Sequence, residues 1–386
     1  MSRFIVTGYM ARCPIAGVIW QHIHYIVGLQ RLGHEVFYIE DSTAHPYHPL
    51  AFDYTADWSY TAEIMPKLAR QFGFEWGYRA RWLDDRPTAG LSGTRIDELY
   101  READAVLNVC GEQELHEDLL QSRCLIYIES DPGKEQCVID NDPAAPIRET
   151  LSHYHAVFTF GENIGTEHSP LPLNGVPWLP TRQPIVTDFW KAHALPPSGA
   201  VFTSVANWNT KGKDIEWRGA KYLWSKALEF LRFIEAPQRA GETFELATNL
   251  RDDATIARLH DHGWRLSDPQ PISIDHDRYV DYMRASKGEF TVAKDQYVRL
   301  NTGWFSDRTA CYLACGRPVI TQETGFTRLY GGGRGLLAFR TLDDIAEAVR
   351  AVNADYAAHS RAAFEVAAEH FEATKVLASL LDRTGL

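Results

Sequence analysis

The stretch RFIVTGYMARCPIAGVIWQHIHYIVGLQRLGHEVFYIE, residues 3–40, decides the fold. Phe4–Thr7 is short and apolar and reads as a strand. Gly17–Leu32 carries Val18, Tyr25, Leu29 and Leu32 near one helical face. Gly33 is placed to end that helix, and Glu35–Glu40 reads as the next strand. Strand, helix and strand in succession build a parallel sheet. Ala105–Val109, Cys124–Ile128 and Ala156–Phe160 read as later strands of it. Residues 42–100, rich in Trp and Tyr, read as helices and loops over one end of that sheet.

Working outward, Pro170, Pro172, Pro177, Pro180 and Pro184 crowd one short segment and mark a linker. A second alternating series comes after it. Val201–Val205, Phe244–Ala247, Phe290–Ala293 and Pro318–Thr321 read as strands. Arg218–Ile234 reads as a helix with Leu223, Ala227, Phe230, Leu231 and Ile234 at core spacing. Ser306–Cys315 reads as a short helix ended by Gly316. Thr341, with Asp344 three residues on, opens another helix, and Ala354–Ala368 and Thr374–Leu381 are helical. The expected fold class is α/β, two tandem Rossmann-like domains facing a cleft. The boundaries expected are 1–185, 186–355 and a C-terminal helical segment, 356–386, closing on the first domain.

The chain has 386 residues, enough for two such cores, with 45% hydrophobic and 23% charged residues. Its net charge of −12 argues against a nucleic-acid partner, which selects for a basic face, and against attachment to an anionic membrane. No apolar run is long enough for a membrane span or a signal peptide, so a cytoplasmic location is expected. Six cysteines, Cys13, Cys110, Cys124, Cys137, Cys311 and Cys315, show no CxxC spacing and read as free thiols.

Ligands of open α/β sheets bind beyond the carboxyl ends of the strands. The richest such segment is KDQYVRLNTGWFSDRTACYLACGRPVITQETGF, residues 294–326. Ser306 sits where it can cap the helix beginning at Asp307. The exposed N–H groups of a helix start, together with its dipole, attract anions. Arg308 adds a forked cation suited to phosphate oxygens. Residue type alone leaves open an ordinary capped helix with Arg308 in an ion pair.

The run SDRTACYLACGRPVI, residues 306–320, resembles the donor-site helix of GT-B glycosyltransferases, most of all the bacterial spore-maturation type. PIAGVIWQHIHYIVGLQRLGHEV, residues 14–36, is similar to the glycine loop and first helix of many GT-B enzymes. The resemblance implies a transferase, with a first domain for the acceptor and a second for a nucleoside-diphosphate sugar, which is a substrate rather than a cofactor. It implies that Ser306 and Arg308 contact the diphosphate, with Asp307 beside them. It also puts Glu323, Thr324 and Gly325 near the transferred sugar, with Glu323 or Asp307 offering a carboxylate to its hydroxyls. The acidic pair of the large retaining families is missing: its positions are Gly303 and Cys311, so the stereochemical outcome does not carry over.

Lysines over the phosphates are expected at Lys294, which ends a strand, with Lys211, Lys213 and Lys226 as further candidates. Trp208, Trp264, Tyr297 and Trp304 are aromatic candidates for stacking on base or sugar, Trp208 foremost. On the acceptor side Gly17, His24 and Asn163 are expected, with a general base among His22, Asp131 and Glu162. Each has an alternative reading as a packing or capping residue. The histidine pairs lack a metal-ligand framework, and Asp275–Asp277 reads as a helix start, so no metal is expected. A nucleotide-sugar epimerase on the same fold, or a non-catalytic nucleotide- or carbohydrate-binding protein, remains as the alternative. Oligomeric state is open.

Overall fold

A computed structural model describes residues 1–210 and 212–386; Lys211 lies outside the described residues. The chain forms two open sheets whose carboxyl ends face one another across a cleft. The first sheet is made of β1 (Arg3–Thr7), β2 (Glu35–Ser42), β3 (Glu75–Ala80), β4 (Thr88–Gly90), β5 (Ala105–Val109), β6 (Leu125–Glu129), β7 (Ala156–Thr159) and β8 (Trp178–Pro180). Its order is β8-β7-β6-β5-β1-β2-β3-β4. Every pairing is parallel except β3 with β4. Phe4, Ile5 and Val6 in β1 are all fully buried, as expected of a strand covered by helices on both faces. The helix α1 (Ala16–Arg31) is one of those covers.

The second sheet consists of β9 (Phe202–Ala206), β10 (Phe244–Thr248), β11 (Trp264–Ser267), β12 (Gly288–Thr291), β13 (Val319–Gln322) and β14 (Leu336–Phe339), in the order β11-β10-β9-β12-β13-β14. Two helices of this half touch the cleft: α2 (His276–Ala285), which packs on α1, and α3 (Asp307–Ala314). The chain ends in α4 (Leu342–Ala354), α5 (Tyr356–His370) and α6 (Ala373–Thr384). Thr341 and Asp344 form the reciprocal cap of α4. The last helix, α6, crosses back onto α1. Ile185 anchors the crossing: its N–H donates to Phe371 O at 2.6 Å and its carbonyl accepts from Ala373 N at 2.8 Å.

Two expectations are corrected. Residues 42–100 include helices, but Glu75–Ala80 joins the sheet beside β2 and Thr88–Gly90 closes that edge. Trp76 and Tyr78 are core residues of this strand, not loop aromatics. Arg218–Ile234 is not one helix. Ile215–Trp217 and Ala220–Tyr222 form a hairpin, and only Ala227–Arg232 of that segment is helical. Arg218 (φ 49°) and Gly219 (φ 76°) are both left-handed, as the tight two-residue turn requires.

Candidate active site

Segments leaving the carboxyl ends of both sheets enclose a cavity of about 580 Å³, a size typical of small-molecule sites. The second half supplies Val205–Asn207 and Thr210 after β9, Asn249 and Arg251 after β10, Asp268–Gln270 and Ser273–Ile274 after β11, and Lys294 after β12. Trp224, Lys226, Tyr279 and Arg308 complete this wall.

Three cations meet here. The Arg308 guanidinium donates to Glu289 Oε1 at 2.7 Å, Val205 O at 2.5 Å and Thr291 Oγ1 at 3.0 Å. Lys226 Nζ donates to the same threonine hydroxyl at 3.4 Å. Burial, with Arg308 alongside, pushes Lys226 well below the ordinary lysine pKa. Lys294 Nζ lies 2.9 Å from the centroid of the Trp224 ring and 3.2 Å from Asp131 Oδ1. Burial, aided by Lys213 and opposed by Asp131, brings Lys294 down to about 8. Of the carboxylates bonded to these cations, Glu289 is wholly buried and Asp131 comes from the opposite domain. Basic groups are therefore crowded at the head of α3, and an incoming anion would favour their charged forms.

The helix start adds to this. Ser306 occupies the cap position, but its hydroxyl makes no capping bond. The N–H groups of the first turn have no partner within the helix. Asp307 faces the first domain, accepting from Gln21 Nε2 of α1 at 3.4 Å. Burial raises its carboxyl to about 7, with Asp131 adding to the rise.

Asp131 comes after β6 and reaches across the cleft. It accepts from Lys294 and from the Tyr297 hydroxyl, and Lys213 Nζ stands 3.8 Å away. Burial opposes its ionisation, but the two ammonium groups hold its pKa below the usual carboxylate range. Tyr297 in turn stacks on Trp304 at 4.3 Å, and Trp304 Nε1 donates to Ser130 O at 2.9 Å. These two aromatics fasten the domains together at the floor of the cleft.

Several expected site residues lie elsewhere. His22 is wholly buried: its Nδ1 bonds Val18 O at 2.8 Å and its Nε2 accepts from Tyr9 N at 3.4 Å. Burial lowers it to about 4. With both ring nitrogens engaged, it cannot take a proton from an acceptor. His24 faces Val186 N and Trp190 Nε1 at 3.1 Å each, and burial lowers it to about 3; it joins α1 to the linker. Glu162 accepts from Arg182 Nη2 at 2.6 Å and from the Tyr330 hydroxyl, beside a different pocket formed with α6.

Asn163 is a hinge clamp. Its side-chain amide donates to Asn301 O at 3.0 Å and Gly325 O at 3.3 Å, and its N–H donates to Thr302 O at 3.0 Å. Gly325, at φ 96°, lies so close that a Cβ would fall 2.3 Å from Asn163 Nδ2. Thr324 is buried in the same joint, its hydroxyl donating to Trp304 O. Glu323 accepts from Gly325 N at 2.6 Å and from the Thr327 hydroxyl at 2.7 Å. It shapes the turn, so neither it nor its two neighbours lines the large cavity. Trp208 and Trp264 are core: Trp208 stacks on Phe230, and Trp264 Nε1 donates to Ile234 O at 2.8 Å. Gly17 does line the cavity. Asp275 accepts from Asp277 N and Arg278 N and so caps α2. Among the described residues no three His, Cys, Asp or Glu side chains cluster as metal ligands, and no helix is long and apolar enough to cross a membrane. All six cysteines are unpaired.

Sequence reading missed Trp224, Tyr279, Asn249, Arg251 and the loop 268–274. The strand-end rule would have found Asn249 and Arg251, which come directly after β10. Trp224 was hidden inside the misread helix.

Residues 232–382 match the family model described as glycosyl transferase-like. The whole chain superposes on an α-glucosyltransferase solved with UDP and a 13-mer DNA containing an HMU base, at 11% identity, TM-score 0.60 and full coverage of both chains. It also superposes on HepE of Anabaena in complex with UDP and glucose, at 11% identity, TM-score 0.54 and full coverage of both. AviGT4, a glycosyltransferase involved in avilamycin A biosynthesis, matches at 10% identity and TM-score 0.54, over 100% of this chain and 97% of that one. No curated protein matches the sequence. At these identities the shared property is the fold.

Proposed function

From a chain that has the GT-B fold, and whose residues 232–382 match the glycosyl transferase-like family, we infer a glycosyltransferase that uses a nucleoside-diphosphate sugar. The observation that carries this reading is the convergence of three basic side chains beside the head of α3, where Arg308, Lys226 and Lys294 line one cavity. A diphosphate matches it in charge and in hydrogen-bonding capacity. These cations and the helix start neutralise the leaving diphosphate without a metal ion. The neighbours solved with UDP or glucose have the same fold and lend support.

In the reaction an acceptor hydroxyl oxygen bonds to the sugar's anomeric carbon. The bond from that carbon to the diphosphate breaks, and the hydroxyl proton passes to a base. Two carboxyls flank the gap between the domains, Asp131 held ionised and Asp307 raised to about 7. Environments that push two carboxyls apart in this way suit an acid–base pair. The proton is assigned to this pair, and His22 and Glu162 are set aside on their geometry. Calorimetric titration with nucleoside diphosphates tests the site. Binding by the native protein, lost in Arg308→Ala, is expected; equal binding by both proteins would overturn the assignment.

A further inference from the structure

The cavity has a second wall, and its chemistry is unlike the first. Among the described residues the first domain contributes Cys13, Ile15, Tyr47, Pro49, Phe52 and Tyr54, together with the backbone at Gly17, and no charged or amide side chain. Arg12, next to Cys13 in the chain, is joined to Glu112 at 2.7 Å. Three of the aromatics sit on one hairpin, Tyr47–His48 paired with Asp53–Tyr54. Leu50 and Phe52 at its tip and Tyr54 on its second strand are 58%, 55% and 59% exposed, which is unusual for neighbouring large apolar side chains.

The hairpin is braced. Tyr47 N donates to Arg12 O at 2.7 Å, and Thr55 N donates to Pro46 O at 3.0 Å. Glu40 holds the supporting loop by accepting from Ala11 N and Arg12 N at 2.7 and 2.8 Å. The Tyr47 and Tyr54 rings pack at 5.3 Å. Phe52 adopts a left-handed backbone, φ 58°, a conformation that bulky residues avoid. An aromatic ring kept in a strained backbone at the mouth of a cavity points to a use for that ring.

Resting on the glycosyltransferase reading, we propose that the acceptor is an uncharged, hydroxyl-bearing molecule with a flat apolar body, such as a phenol, gripped by Phe52 and Tyr54. An anionic acceptor finds no cation on this wall, because those of the cavity stand on the opposite side with the diphosphate. A saccharide finds an aromatic platform on this wall, but the carboxylate and amides that its many hydroxyls demand stand across the cavity, at Asn207, Asn249, Asp268 and Gln270. A flat apolar body covers the exposed ring faces and brings one hydroxyl to the sugar.

The test uses the full chain with whichever UDP-, dTDP-, GDP- or ADP-sugar stabilises it in a thermal-shift screen. Transfer is then measured to 4-methylumbelliferone and quercetin, to maltose and cellobiose, and to oligothymidine. The phenols are expected as substrates, with the saccharides and the oligonucleotide at least tenfold slower. Phe52→Gly suits the left-handed backbone and so keeps the fold. It is expected to raise the KM for the phenol tenfold or more while nucleotide affinity stays unchanged. Preference for a saccharide or the oligonucleotide, no transfer to any acceptor, or an unchanged phenol KM in Phe52→Gly each overturns this inference while donor binding still stands. Absence of any nucleotide binding overturns the transferase reading itself.

Discussion

On one side of the cleft, the segments leaving β1 and β2 present Ile15, Gly17, Tyr47 and Phe52; on the other, those leaving β9 and β12, with α3, present Val205, Lys294 and Arg308. Both sides are strand ends of parallel sheets, each with a helix start nearby. The difference lies in the residues that the chain places after each strand. The start of α1 is apolar and carries no acidic residue in its first turn, whereas α3 opens with Ser306, Asp307 and Arg308. A shared architecture thus offers two equivalent positions, and residue choice makes one wall basic and the other apolar.

Breaking the charged wall has the largest expected effect. Arg308→Ala removes three hydrogen bonds and leaves the Glu289 carboxylate buried without its cation. A stability loss of about 3–5 kcal/mol is expected in urea unfolding. Nucleotide affinity should fall by about a hundredfold or more. Arg308→Lys, which keeps the charge but not the fork, should recover much of the stability and less of the binding.

Lys294→Ala comes next, with a loss of nucleotide affinity of about tenfold in calorimetry. Its pKa of about 8 adds a pH signature. Above that pH the unliganded protein loses the Lys294 proton, so affinity should decline from pH 7 to pH 9. Lys294→Arg should flatten that decline, since a guanidinium keeps its charge; an unaltered slope would remove Lys294 from the site.

Asp307→Asn sharpens the boundary between the walls. The native carboxyl, raised to about 7, holds a proton in the folded chain over a range where the unfolded chain has lost it. The native protein therefore loses stability as pH rises from about 4 to about 7. The asparagine variant should gain over it through that range and hold a constant advantage above it, measured by thermal unfolding. If Asp307 carries the proton in transfer, the variant also loses turnover while still binding nucleotide.

The smallest effect belongs to the hinge. Glu323→Gln weakens the turn that accepts from Gly325 N and Thr327, costing about 1 kcal/mol in unfolding. Nucleotide affinity should not change. A clear loss there would return the Glu323 turn to the sugar-binding wall.

Legibility tracked locality. Residues 3–40 announced their strand–helix–strand unit because short apolar runs and a period of 3.6 are written in consecutive positions. The head of α3 was legible for the same reason: Ser306, Asp307 and Arg308 are adjacent, and Lys294 ends a recognisable strand. The hairpin after β9 was not legible, since the helical spacing of Ala227, Phe230 and Leu231 belongs to the short helix Ala227–Arg232, and nothing in it marks the turn at Arg218–Gly219 upstream. The strand Glu75–Ala80 was equally hidden, because its glutamate and arginine break the apolar pattern, and Arg79 is accommodated only by Asp41 and Asp97 from distant segments.

The sequence by itself determined the two α/β series, the helix start at Ser306–Arg308 and the negative overall charge. Only the tertiary structure decided which polar residues face the cleft. His22, His24, Asn163 and Trp208 have side chains fit for a site, but packing turned each toward backbone groups or the core. Asp131 met Lys294 from across the domain gap, although the two are far apart in the chain. The aromatic hairpin acquired its role in the same way, by standing opposite three cations. Side-chain chemistry is local, but burial, charge balance and the partner across a cleft depend on contacts between distant segments, and those exist only once the chain has folded.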